Sequence, residues 1–278
     1  MTLDLSKNEI RTLPNGIFDS TFNLKSLNRS INLLSTFDVE LLRNLQMLCF
    51  LDLSSNHIRS IDASFSLIGQ SIVILRLRSN ALEEIEEHTL QNCTYLNELR
   101  LDMNKILFMH ELALLGGSFI TIFSLSYNGL KNETNIRTVL HQISPTEVNI
   151  DGNKITKLVS FMFQSFEIGQ IKFPIIKEVE ASDSKSLMDD IKELYRQINV
   201  ENNETGLMWL NLSSNEIDLV HRDSFRFLSK LVTLDLSFNR ITELGVNVFV
   251  DLAALVNLFL SGNKLKRLPR NLFLKNNF

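Results

Sequence analysis

Ten times along this 278-residue chain a short apolar stretch ends in asparagine, and the asparagines fall at almost constant steps. They are Asn8, Asn32, Asn56, Asn80, Asn104, Asn128, Asn153, Asn215, Asn239 and Asn263. Every step is 24 residues, except one of 25 to Asn153 and one of 62 to Asn215. So regular a period constrains the chain more than its composition does. It describes units that cannot bury an apolar face alone and stack so that each covers its neighbour. Ahead of each asparagine the apolar residues alternate, as in "LDLSKN", "LDLSSN", "LRLRSN" and "LNLSSN". Alternation at period two marks a short strand with its leucines inward.

The repetition settles the reading of the stretch "LDLSSNHIRSID", Leu51 to Asp62, which gathers Ser54, Ser55, Asn56 and His57 between two aspartates. Those residue types suit hydrolysis, but the asparagine recurs in nine other copies, none of them followed by histidine. A carboxamide that both donates and accepts is what a strand end needs to satisfy unpaired backbone groups of adjacent turns. Asn56 is therefore expected to be one rung of an asparagine ladder. The chain has no Gly-rich phosphate loop, H-E-x-x-H or C-x-x-C, and its histidines avoid strand positions, so no enzyme, metal or cofactor is expected.

Further positions keep the period. Two residues past the asparagine stands Ile or Leu, as at Ile10, Ile58, Leu82 and Ile217. Ten past it stands Phe18, Phe163, Phe225, Phe249 or Phe273, with Leu42, Leu90 and Leu114 in other copies, predicting a stacked spine inside the arc. Halfway across the 62-residue gap, "IIKEVEASDSKSL" tracks the apolar positions and is read as a degenerate, longer repeat. The expectation is one domain over 1–278 of about eleven repeats, irregular at 154–215. Helical spacing in "ETNIRTVLHQIS" and "SKSLMDDIKELYRQINV" predicts two short helices packed on the convex side.

The pattern is the leucine-rich repeat, L-x-x-L-x-L-x-x-N-x-L, and its fold class is α/β: a horseshoe solenoid with a parallel sheet on the concave face. The 24-residue form with its Phe resembles the typical repeat of extracellular animal proteins, the chaoptin-like and Toll-like receptor ectodomains. The resemblance implies a non-catalytic, protein-binding segment of a cell-surface receptor or adhesion protein, with a protein ligand or a homophilic partner. A cytosolic scaffold that binds proteins is the alternative. Such arrays carry Cys-rich caps and neither end here does, so a fragment is expected.

The remaining totals agree. A net charge of -4 gives no polyanion-binding signature, so no nucleic acid is expected. The longest apolar stretch, Leu112 to Phe123, is about half of the roughly 20 residues a spanning helix needs. No membrane segment is expected in this piece, though an anchor could lie outside it. No basic start precedes an apolar run at Met1, so no signal peptide is visible. Cys49 and Cys93 are expected unbridged.

Strand alternation also names the exposed concave positions. Phe50, Ile74 and Ile122 fall beside Arg76, Arg78 and Arg100. Glu98, Asp102, Glu147, Asp151, Glu178, Glu180 and Asp183 follow, then Trp209, Phe238 and Phe259. Phe50, Ile74, Arg76, Arg78, Arg100 and Trp209 form the candidate ligand site, because Arg and Trp anchor interfaces. Of five glycosylation sequons, Asn132 and Asn203 fall in loops and are the candidates for glycans.

Overall fold

A computed structural model describes residues 1–276 apart from 62–64, 66, 116–118, 132, 141, 144, 160–162, 164–205 and 274–275. In chain order the strands are β1 (Thr2–Asp4), β2 (Ser26–Asn28), β3 (Phe50–Asp52), β4 (Ile74–Arg76), β5 (Glu84–Ile85), β6 (Glu98–Arg100), β7 (Phe108–Met109), β8 (Ile122–Ser124), β9 (Glu147–Asn149), β10 (Lys157–Leu158), β11 (Trp209–Asn211), β12 (Leu219–Val220), β13 (Thr233–Asp235) and β14 (Asn257–Phe259). Ten of them form one parallel sheet, in the order β1-β2-β3-β4-β6-β8-β9-β11-β13-β14. The register never slips: Leu3, Leu27, Leu51, Leu75, Leu99, Phe123, Val148, Leu210, Leu234 and Leu258 run across it as one row. Parallel strands need a crossover between them, and here each crossover is the convex part of one repeat. Two small convex sheets pair β5 with β7 and β10 with β12.

The asparagines hold the inner edge of this stack. The Asn56 amide nitrogen lies within 3.2 Å of the carbonyl oxygens of Arg29, Leu53 and Ser54, and its oxygen accepts from Leu34 N at 3.0 Å. Two of those four partners belong to the preceding repeat, so each asparagine ties two turns together. The same pattern recurs at Asn32, Asn80, Asn104, Asn128, Asn153, Asn215 and Asn239, and in reduced form at Asn8 and Asn263. The residue before each rung adopts a left-handed conformation, with φ between 51° at Tyr127 and 69° at Gly262. That turn lets the chain fold its asparagine inward. It costs a side chain about 1–2 kcal/mol, and Gly occupies it only at Gly152 and Gly262.

The spine differs along its length. Phe163, Phe225, Phe249 and Phe273 stack face to face, with ring centroids 6.5, 5.9 and 6.2 Å apart. Leu42, Leu90 and Leu114 take the equivalent places in earlier repeats and are fully buried. In the repeat of Asn56 the place is filled by Phe65, one residue early, buried and 5.6 Å from Phe37. The first predicted helix is α1 (Glu133–Leu140), with Ile136, Val139 and Leu140 buried, and Ile143 buried just beyond. The second, with Leu187, Ile191, Leu194 and Ile198, lies outside the described residues.

Two expectations need correction. An eleventh strand was expected halfway between the rungs at Asn153 and Asn215, but β9 pairs directly with β11, Val148 beside Leu210. The ladder confirms the junction: Asn215 donates to Ile150 O and accepts from Ile155 N, both at 3.1 Å. No strand stands between β9 and β11 in the sheet. Equal division of the gap misled, because a long insertion closes on the same register as a short one. The second correction concerns the apolar positions themselves. Arg29 occupies the place held elsewhere by Leu53, Leu77 and Leu101, and it is 3% exposed with an unpartnered Nε. Burial pulls its guanidinium down to about 10, against the opposing pull of Asp38.

Cys49 and Cys93 are not bridged. Cys49 Sγ lies 3.2 Å from Lys25 O, and burial pushes the Cys93 thiol up to about 12.

Candidate functional site

On the concave face, the position after each central leucine has a scaffold use. Asp4, Asn28, Asp52, Asn149, Asn211 and Asp235 each accept a hydrogen bond from the backbone N–H two residues on, at 2.8–3.4 Å. This local turn holds the strand end for the asparagine that follows. Asp52, adjacent to Ser54 in the apparent hydrolytic stretch, is therefore occupied with Ser54 N. Four repeats break the column: Arg76, Arg100, Ser124 and Phe259 stand where Asp or Asn is usual. At Ser124 the lost acceptor is replaced across the strand, since Asp102 Oδ1 accepts from Ser124 Oγ and from Ser126 N. Arg76, Arg100 and Phe259 serve no such turn, so these positions are spared by the scaffold.

Arg76 and Arg100 converge on one carboxylate. Arg76 Nε donates to Glu98 Oε1 at 2.9 Å and Arg100 Nε to the same oxygen at 2.6 Å. Arg76 also stands 5.3 Å from the centre of the Phe50 ring, a cation–π arrangement. The hydrogen bond to Glu98 raises the Arg76 guanidinium. Burial alone would raise the Glu98 carboxyl, but the two arginines outweigh it and hold it below the ordinary range. The predicted basic patch is thus partly neutralised from within. Phe50, Ile74, Arg76 and Arg100 are half-buried around Glu98, and Arg78 alone of the three arginines is exposed, with its guanidinium 3.5 Å from Met103 Sδ. Glu98 was read as part of a separate acidic stretch; its pairing depends on side chains reaching across strands, which spacing alone does not encode.

Trp209 does not join this group. Three strand steps separate β11 from β6, or about 14–15 Å at the usual spacing. It lies directly beside Glu147 instead. Phe238 leaves the strand face altogether: it takes the left-handed turn position and its ring lies where a Cβ on Gly262 would be, 2.6 Å from that point. Tyr127 repeats the arrangement over Gly152, also at 2.6 Å. Both rings stay open to solvent, Tyr127 at 51% and Phe238 at 64%. The sequence signal for these shelves is an aromatic followed 24 or 25 residues later by a glycine. Asn132, Asn203, Glu178, Glu180 and Asp183 lie outside the described residues.

Among the described residues no group of three or more His, Cys, Asp or Glu could hold a metal ion. No helix among them is long and apolar enough to cross a membrane.

The fold is a leucine-rich repeat solenoid. A family model described as "Leucine rich repeat" matches residues 1–64 and 205–265. Podocan of Mus musculus is 31% identical over 133 residues, which is 46% of this chain and 21% of podocan. The chain thus spans about a fifth of that relative. The solved octameric complex of Latrophilin 3, Unc5D and FLRT2, in which FLRT2 contributes the leucine-rich repeats, matches with a TM-score of 0.70 at 21% identity. The match covers 94% of this chain and 67% of the other. The structure of the Toll–Spatzle complex of Drosophila matches with a TM-score of 0.61 at 18% identity, over 91% of this chain and 31% of the other. At such identities the likeness is one of fold.

Proposed function

We propose that this chain is the protein-binding part of a cell-surface receptor or adhesion protein, that it carries out no catalysis, and that it engages a protein ligand through the concave face. One observation carries the reading: the concave columns depart from their scaffold residues at Arg76 and Arg100, beside Phe50, Ile74 and Arg78, and again at Phe259, on the same face as Trp209. Side chains there are large, aromatic or guanidinium-bearing, the types that concentrate binding energy. They contribute nothing to the ladder below them. The fold neighbours lend support, because FLRT2 and Toll were both solved in complexes with other proteins. A curved parallel sheet offers such a partner an extended, rigid surface.

The test is an array of extracellular protein domains probed with the chain displayed on cells. Partners captured by the unaltered chain are re-measured against Phe50→Ala/Arg78→Ala/Trp209→Ala and against the convex control Glu83→Ala/Glu84→Ala. The concave triple is expected to weaken capture by at least about tenfold, in line with about 1.4 kcal/mol per decade, and the convex pair to leave it unchanged. Partners insensitive to the concave changes but lost with the convex ones would overturn the reading.

A further inference from the structure

The concave face has a second, unlike region three strands from the arginines, and its chemistry selects a cation. Trp209 and Glu147 are register partners on neighbouring strands; Glu147 is exposed and Trp209 half-buried. Four residues on from Glu147, two past the end of β9, lies Asp151. Asp151 is 7% exposed, and its Oδ1 is buried without a hydrogen-bond donor. A carboxylate oxygen removed from water and left without a donor is costly unless something supplies one. The next residue is Gly152, and over it lies the Tyr127 ring, half open to solvent. The strip therefore carries a carboxylate and an aromatic ring at each end: Glu147 with Trp209, and Asp151 with Tyr127. Between the ends lie the uncharged Asn149, Asn211 and Ser124. The nearest described arginine on the sheet, Arg100, is tied to Glu98.

A carboxylate beside an exposed ring face suits a guanidinium or ammonium group, which gains a charge-assisted hydrogen bond and a cation–π contact together. We infer that the strip bounded by Trp209, Glu147, Tyr127 and Asp151 is a subsite for basic side chains, arginine above all, presented by an extended segment of a protein partner. This rests on the concave-face reading above and adds the partner's chemistry: the segment is basic here, where the arginine region alone would suggest an acidic one. The molecule supplies its own comparison. Phe238 over Gly262 is the same shelf, but the residue before Gly262 is Ser261 rather than an acid.

Trp209 is the single tryptophan of the chain, so its emission reports on the strip directly. The experiment titrates the folded chain with an acetylated, amidated penta-arginine peptide and with penta-glutamate as the opposite probe. Penta-arginine is expected to change Trp209 emission saturably and penta-glutamate to leave it unchanged. Glu147→Gln/Asp151→Asn is expected to weaken penta-arginine binding by about tenfold or more, Tyr127→Ala by several-fold, and Tyr127→Phe little. Phe238→Ala and the convex pair Glu83→Gln/Glu84→Gln, which removes the same charge, are expected to change nothing. Equal weakening by the convex and concave charge pairs, or binding without a change in Trp209 emission, would overturn the subsite. Because the peptide is a fixed probe, that outcome leaves the array test of the arginine region standing, and failure of the array test leaves this titration interpretable.

Discussion

The stack on either side of the 160–205 insertion follows one rule and two compositions. Before it stand seven concave strands, with charge at Arg76, Glu98 and Arg100 and at Asp102 just beyond its strand, and a spine in which Leu42, Leu90 and Leu114 alternate with Phe18 and Phe65. After it, three strands carry Trp209 and Phe259, the aromatic Phe238 follows its strand, and Phe225, Phe249 and Phe273 continue a spine of stacked rings. The ladder is the same throughout, down to amide-to-carbonyl distances near 3.0 Å at Asn56 and Asn239. The difference teaches which positions the fold dictates. Backbone satisfaction admits one residue type, core volume admits any of several apolar ones, and the concave face admits almost anything. Candidate binding residues therefore show as departures from the period, and scaffold residues as adherence to it.

The largest expected effect separates the two spines. Phe225→Ala removes a ring held between two others and is expected to cost about 3–5 kcal/mol, with Leu90→Ala nearer 2–4, both read from urea unfolding midpoints. Equal costs would say that ring stacking adds nothing to volume. Next comes the rung that joins the two regions. Asn215→Ala strands a buried N–H and several carbonyls and is expected to cost roughly 2–4 kcal/mol. A variant as stable as the parent would break the claim that the ladder is needed across the junction.

Smaller and opposite in sign is Arg29→Leu. It replaces a desolvated guanidinium with the residue every neighbouring repeat carries there, and is expected to stabilise by about 1–3 kcal/mol in a thermal melt. Loss of stability would show that Arg29 makes a contact the scaffold requires. The smallest effect is in pH dependence. The folded Glu98 carboxyl lies below its ordinary value of 4.5, so its stabilisation is present above that value and is lost as pH falls through the lowered one. Glu98→Gln is expected to flatten the acid limb of stability against pH below about 4.5 and to leave the limb above neutrality unchanged.

Much of the scaffold was legible because it is periodic. The Asn rungs, inward leucines and phenylalanine spine each announce themselves by recurrence, and α1 by helical spacing of Ile136, Val139, Leu140 and Ile143. Three things were not legible. Arg29 sits in a core row that the period assigns to leucine, and period-matching tolerates one such substitution without flagging its burial. The left-handed turn before each rung accepts Lys7, Ile31, Ser55 and Phe238 alike, so residue type hides it. The grouping of concave residues depends on which strands are neighbours. An eleventh strand in the gap moves Trp209 away from Glu147, its observed neighbour.

That adjacency is the claim on which both the continuous sheet and the cation strip rest, and a cross-link tests it most directly. Glu147→Cys/Trp209→Cys, made with Cys49→Ser and Cys93→Ala, is oxidised mildly and mapped by mass spectrometry of its proteolytic peptides. Neighbouring parallel strands set the two Cα atoms about 4.8 Å apart, within reach of a disulfide, so an intramolecular 147–209 bridge is expected in high yield. Failure to bridge, in a chain that remains folded, would place another strand between them and contradict the account.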